Sequence, residues 1–88
     1  MIPDIFYIEA DRNYSRIFTA NKEYLLSITL KLIEQKLSES LFLRIHRSYL
    51  INISQIEEVL ESHVMIAQKA IPLGAGVKEK LLERIQTL

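Results

Sequence analysis

The sequence predicts a mostly β domain of short strands with two short helices. Three observations carry that prediction. Apolar runs rich in β-formers recur at close spacing and are cut by turn-like polar clusters. Apolar spacing changes to three and four residues in only two stretches, around 30–37 and 77–88. The chain has 88 residues, 49% apolar and 25% charged, which is the size and composition of one ordinary globular domain.

Ile5-Phe6-Tyr7-Ile8 is an unbroken apolar run, so the first strand is expected to be covered on both faces. Asp11-Arg12-Asn13 reads as a turn and 14–19 as the returning strand of a hairpin; Ala20-Asn21-Lys22 turns again into a strand at 23–28. Leu30, Ile33 and Leu37 then share one helical face opposite Lys31, Glu34, Gln35 and Lys36, with Thr29 placed as N-cap.

Leu43 and Ile45 alternate with Arg44 and His46, giving a strand with one apolar and one basic face. Unbroken alternation would turn Arg47 into the core, and an unpaired buried guanidinium there is costly. A bulge or break at 46–48 that sends Arg47 to solvent is the cheaper arrangement. Tyr49-Leu50-Ile51 returns to the core, and Asn52 is placed to cap a short turn through Gln55. Short strands are expected at 56–60, 64–67 and 69–73, with Ser62-His63 as a turn. Gly74-Ala75-Gly76 ends the strands. Val77, Leu81, Ile85 and Leu88 line a closing helix with Gly76 as N-cap and Glu79 in its first turn.

Composition excludes several classes of function. A chain this short buries roughly 60–65% of its unfolded surface and cannot enclose a deep cleft between domains. Without cysteine there is no disulfide framework, thiol chemistry or cysteine–zinc site. No apolar run reaches the roughly 18 residues of a membrane span and no leader opens the chain, so a cytoplasmic domain without membrane contact is expected. Eleven basic and eleven acidic residues cancel, so any positive surface must come from placement. Placement is uneven: 41–54 carries Arg44, His46 and Arg47 and no acid, and 56–61 carries Glu57, Glu58 and Glu61 and no base.

Catalysis finds little support. His46 and Ser48 share a strand face, but no acid is placed to orient the histidine. Glu57 and Glu58 are adjacent, which sends them to opposite faces of a strand. His46 and His63 are the only histidines and have no carboxylate at a ligand-like offset, so neither a metal site nor a cofactor is expected. Gly74-x-Gly76 lacks the full phosphate-loop pattern.

The basic loops carry more. Arg12, Asn13, Tyr14 and Arg16 lie in and beside one turn, and 44–49 holds two arginines, a histidine, a serine and a tyrosine. These side chains grip phosphate oxygens, and Arg and Asn also read base edges. From the residues alone, nucleic-acid binding and a protein-interaction module built on edge strands both stay open.

A further pattern narrows this. Tyr7-Ile8-Glu9-Ala10 before Asn13-Tyr14, then Thr29-Leu30-Lys31 opening a helix, then Phe42-Leu43-Arg44-Ile45-His46-Arg47-Ser48-Tyr49-Leu50-Ile51-Asn52, stand in one order. In this the chain resembles LytTR-type DNA-binding domains, output modules of many bacterial two-component response regulators, from about residue 5 to 85. The resemblance implies packed antiparallel sheets and loops inserted into the grooves of promoter DNA. It also implies direct repeats bound by two domains, and an upstream receiver or sensor domain, with residues 1–88 as one domain of a longer regulator. Arg12, Asn13 and Tyr14 would form the first contact loop and His46, Arg47 and Ser48 the second. Arg47 and Asn13 would read bases, and Arg16, Arg44 and the Ser48 hydroxyl would hold phosphates.

The third family contact falls at 72–78. Many members carry a serine and a basic residue there, where this chain has Gly74-Ala75-Gly76. Backbone amides at Gly76, with Lys78 nearby, are the remaining phosphate donors, which points to modest affinity or a changed base preference at that end. His46 suits either a phosphate contact or a structural hydrogen bond. Asn52, Tyr7, Tyr49 and Glu9 are assigned to structure. The competing expectation is a dimerisation or docking module that keeps the fold without binding DNA.

Overall fold

The computed structural model describes residues 5–38 and 40–86. The hairpins expected from turn chemistry form β1 (Ile5–Asp11), β2 (Tyr14–Thr19) and β3 (Glu23–Leu26). Helix α1 (Leu30–Lys36) leads to β4 (Phe42–His46) and β5 (Tyr49–Asn52), followed by a 3-10 turn at Ile53–Gln55. Strands β6 (Glu58–Val59), β7 (His63–Ile66) and β8 (Lys69–Pro72) precede helix α2 (Val77–Gln86). The strands make two antiparallel sheets, one ordered β3-β2-β1-β5-β4 and one ordered β6-β7-β8.

Strand β1 lies at the centre of the larger sheet, and its apolar run is covered on both faces as expected. Tyr7 faces one core with Leu43, Ile45, Ile51 and Ile53, closed by Val64, Ile66 and Ile71 of the small sheet and Leu81 of α2. Ile8 faces the other with Phe42 and Leu50, closed by Leu30 and Ile33 of α1. Each fully buried aliphatic side chain contributes about 1.5–3 kcal/mol. Helix α1 has the expected cap, the Leu32 amide donating to Thr29 Oγ1 at 3.4 Å.

Among the described residues, the two buried polar side chains are ties between elements. Ser15 Oγ donates to Ile28 O at 2.7 Å, holding β2 to the chain entering α1. Asn52 Oδ1 accepts from the Ser54 amide at 3.0 Å and caps the 3-10 turn, while its Nδ2 donates to Ile5 O at 2.8 Å.

Several boundaries differ from expectation for local reasons. The third strand ends at Leu26, where Ser15 takes over the pairing. The run at 56–60 pairs only over Glu58–Val59, because Ile56 closes the 3-10 turn and the Leu60 amide already turns toward His63 O. His63 belongs to β7, and the β7–β8 turn is Ala67-Gln68, with φ of 52° and 66°. Two successive positive φ values are what a tight hairpin demands, normally from Asn and Gly. Leu88, expected on the helix face, lies outside the described residues.

Two predictions follow from these environments. Gln68→Gly removes the steric cost of a positive φ and should stabilise the domain by about 0.5–1 kcal/mol in urea unfolding, with the fold unchanged. Burial, with Glu9 adding to it, pushes the Tyr7 phenol up to about 12 from an ordinary 10.0. The unfolded chain therefore loses this proton first, so its stabilising share is complete below pH 10 and is lost as the pH rises towards 12. Unfolding midpoints should fall across that interval, and the fall should be shallower in Tyr7→Phe.

Candidate nucleic-acid interface

Register decides which loops meet. Glu9 on β1 is opposite both Arg16 of β2 and Tyr49 of β5, so the β1–β2 turn and the β4–β5 turn project from the same end of the sheet. A backbone bond from Ala10 N to Ser48 O, 2.8 Å, joins them. The segment between β8 and α2 reaches the same end, where Gly74 N donates to Ile45 O at 2.6 Å. That approach favours glycine, since a Cβ on Gly74 would lie 3.2 Å from Ile45 O, a tight contact that the backbone would have to ease by a few tenths of an ångström.

The expected bulge exists, one residue before the stretch 46–48 where the alternation placed it. Arg44 is opposite Leu50 and His46 is opposite Tyr49, so the extra residue is Ile45. Ile45 is fully buried, and His46 packs on Tyr49 with ring centroids 5.7 Å apart. The side-chain alternation slips by one, and Arg47 comes out exposed at the tip of the turn.

Arg12, Asn13 and Tyr14 are exposed in and beside the β1–β2 turn, with Arg12 held at a φ of 61°. A non-glycine residue in that region stores strain, and such residues cluster at functional sites. Among the described residues, neither Arg12 nor Arg47 has an ion-pair partner, and both guanidinium groups are free to meet a ligand.

The other candidates have partners within the protein. Arg16 Nε donates to Asp11 Oδ2 at 3.0 Å and its Nη1 to Glu23, which together hold the guanidinium above its ordinary pKa. Arg44 donates from Nη1 to Glu34 Oε1 (2.8 Å), from Nε to His46 O (3.0 Å) and from Nη2 to Arg47 O (2.6 Å). Lys78 Nζ donates to Glu61 Oε1 at 2.9 Å, which draws that carboxyl below its ordinary range. His46 Nδ1 accepts from the Ser48 amide at 3.1 Å, which uses one ring nitrogen inside the turn. Gly76 has a φ of 74° and is exposed, with open space around it. Tyr49 and Glu9 form a structural pair, the Tyr49 hydroxyl donating to Glu9 Oε2 at 3.2 Å.

Sequence reasoning missed Glu34. Its spacing marks it as the solvent side of α1, yet it is the carboxylate that pairs with Arg44 of β4.

This arrangement coincides with a known family. The model of the LytTr DNA-binding domain matches residues 1–86. The chain belongs to the LytTR family of DNA-binding domains. Within it, the chain is 38% identical over 56 residues to the sensory transduction protein LytT of Bacillus subtilis, a match covering 64% of the chain and 23% of LytT. It is 36% identical over 52 residues to the CO-responsive transcriptional regulator RcoM of Rhodospirillum rubrum, covering 59% of the chain and 22% of RcoM. It is 33% identical over 58 residues to the transcriptional regulatory protein YpdB of Escherichia coli, covering 66% of the chain and 24% of YpdB. The matches thus span about a quarter of the length of these relatives. A LytTr DNA-binding domain from Bacillus cereus superposes with a TM-score of 0.79 at 21% identity, covering 91% of the chain and 82% of that structure. The mostly β fold with two antiparallel sheets is the LytTR fold. Among the described residues of this LytTR domain, no helix is long and apolar enough to cross a membrane.

Proposed function

We propose that this LytTR domain binds promoter DNA sequence-specifically, by inserting the loops at one end of its large sheet into the grooves. It serves as the output domain of a cytoplasmic bacterial transcriptional regulator of the response-regulator type, and does no catalysis. The observation that carries this reading is the convergence of the β1–β2 turn, the β4–β5 turn and the β8–α2 loop, with Arg12, Asn13, Tyr14 and Arg47 exposed there. Relatives several times longer support a sensing or receiver domain elsewhere in the full regulator.

Roles follow from which groups are free. Arg47, exposed on a tightly held turn, is the base reader, with Asn13 as second reader. Arg12, Tyr14, Ser48 and the backbone at Gly76 meet phosphate or groove walls. Arg16 and Lys78 join only by exchanging an exposed carboxylate for a phosphate, an inexpensive step because exposed ion pairs contribute about 0–1 kcal/mol. Two domains on a direct repeat would place two such ends on one face of the duplex.

A second reading has one observation in its favour. Strand β3 is a sheet edge that leaves Tyr24, Leu25 and Leu26 exposed, a surface suited to docking or dimerisation.

Selection of bound sequences from random duplex DNA at about 50 mM salt separates the two readings. Enrichment of a short repeated motif is the expected result; no enrichment from a folded sample, with a dimeric mass in solution, would favour docking through β3. On the enriched site, Arg47→Ala should cost about 1–3 kcal/mol and relax preference at one base position. Arg12→Ala should weaken binding to all sequences alike and lower the slope of log affinity against log salt by about one. A base preference unchanged by Arg47→Ala would remove the base-reading role.

A further inference from the structure

We infer that Arg44 and Glu34 are positioning residues that set the Arg47 turn for base reading and do not themselves touch DNA. The inference rests on the assignment of Arg47 as reader. Its starting point is the bulge. An extra residue on β4 leaves carbonyls around the turn out of step with the ladder, and a protruding turn with unmatched carbonyls would sample many conformations.

Here the carbonyls from residue 45 to 48 are each held from outside the turn. Ile45 O accepts from Gly74 N and Ser48 O from Ala10 N, both backbone bonds fixed by the fold. The two between them, His46 O and Arg47 O, accept from one side chain, Arg44, through Nε and Nη2. Only a planar guanidinium presents two donors at a fixed spacing to successive carbonyls and keeps a third for a carboxylate; a lysine ammonium at this position could not.

Glu34 supplies that carboxylate from α1 at 2.8 Å. Being packed by Leu30 and Ile33, α1 gives the guanidinium a rigid anchor. With three donors engaged and the Arg44 side chain only 28% exposed, Arg44 has little left to offer a phosphate. What it delivers is the direction in which Arg47 leaves the turn. Pre-organisation of this kind contributes where geometry is strict, as in a pair of hydrogen bonds to a base edge, and little where contact is with a diffuse phosphate charge.

The test separates positioning from phosphate contact by two readouts on the enriched DNA site. Arg44→Lys keeps the charge and loses the fork; Glu34→Gln, on an exposed helix face, removes the anchor's charge with little risk to folding. Both should reduce discrimination at the base position read by Arg47, by roughly five- to tenfold for Arg44→Lys and less for Glu34→Gln, with the salt slope unchanged. In Arg47→Ala, adding Arg44→Lys should cost no further discrimination. In the free protein, the backbone amide resonances of 46–48 should shift in both single variants while the rest of the spectrum holds.

A salt slope lower by about one in an Arg44→Ala variant, with base preference intact, would make Arg44 a phosphate contact and overturn the inference. So would unmoved amides at 46–48 with unchanged discrimination in Glu34→Gln. If Arg47→Ala itself leaves base preference intact, the reading of Arg47 falls and this inference falls with it, a result distinct from an active Arg47 beside inert Arg44 and Glu34 variants.

Discussion

The bulge at Ile45 is the constraint on which the rest of this molecule turns. A strand bearing Leu43 and Ile45 on one face must break its alternation before Arg47, or bury a guanidinium in a small core. The break creates a protrusion with backbone groups out of register, and it is held by two distant parts of the chain, the end of β1 and the segment after β8, and by the neighbouring side chain of Arg44. The same event that protects the core thus puts Arg47 at the tip of an exposed turn and ties that turn to its neighbours.

A sheet packed on both faces makes that possible in a chain of 88 residues. With α1 on one face and the small sheet and α2 on the other, strands β1 and β5 are buried from both sides. The faces are then spent on stability, and what remains for a ligand is the sheet's ends and edges. At one end, loops anchored on buried strands can be rigid without being large. The edge at β3 is the contrasting case, four exposed residues that pack on little and are paired along one side only.

Much of this was legible in the residues. The switch from strand composition to helical spacing located both helices, and Thr29 and Asn52 do the capping their positions suggested. The need for a bulge followed from the energetics of one arginine. Its location did not, and the Ile45 carbonyl is held by Gly74, from a segment distant in sequence. The Ala67-Gln68 turn was obscure since neither residue announces a positive φ, and the tertiary pairing of β7 with β8 imposes it. The candidate loops gather at one end of the large sheet, a placement set by register, and Arg16, Arg44 and Lys78, which looked free, are paired. Their partners Glu23, Glu34 and Glu61 are seven, ten and seventeen positions away, distances that only the folded chain closes.

Those pairings give the domain an unusual electrostatic economy. DNA is dressed in condensed cations that an arriving basic surface sets free, and their gain in translational freedom drives association. Here Asp11, Glu23, Glu34 and Glu61 are the counterions of Arg16, Arg44 and Lys78, and they are tethered to the chain. A carboxylate pushed aside by a phosphate goes nowhere and returns no such entropy. Three of the domain's eleven arginines and lysines can therefore meet a phosphate only by giving up a carboxylate that stays beside them.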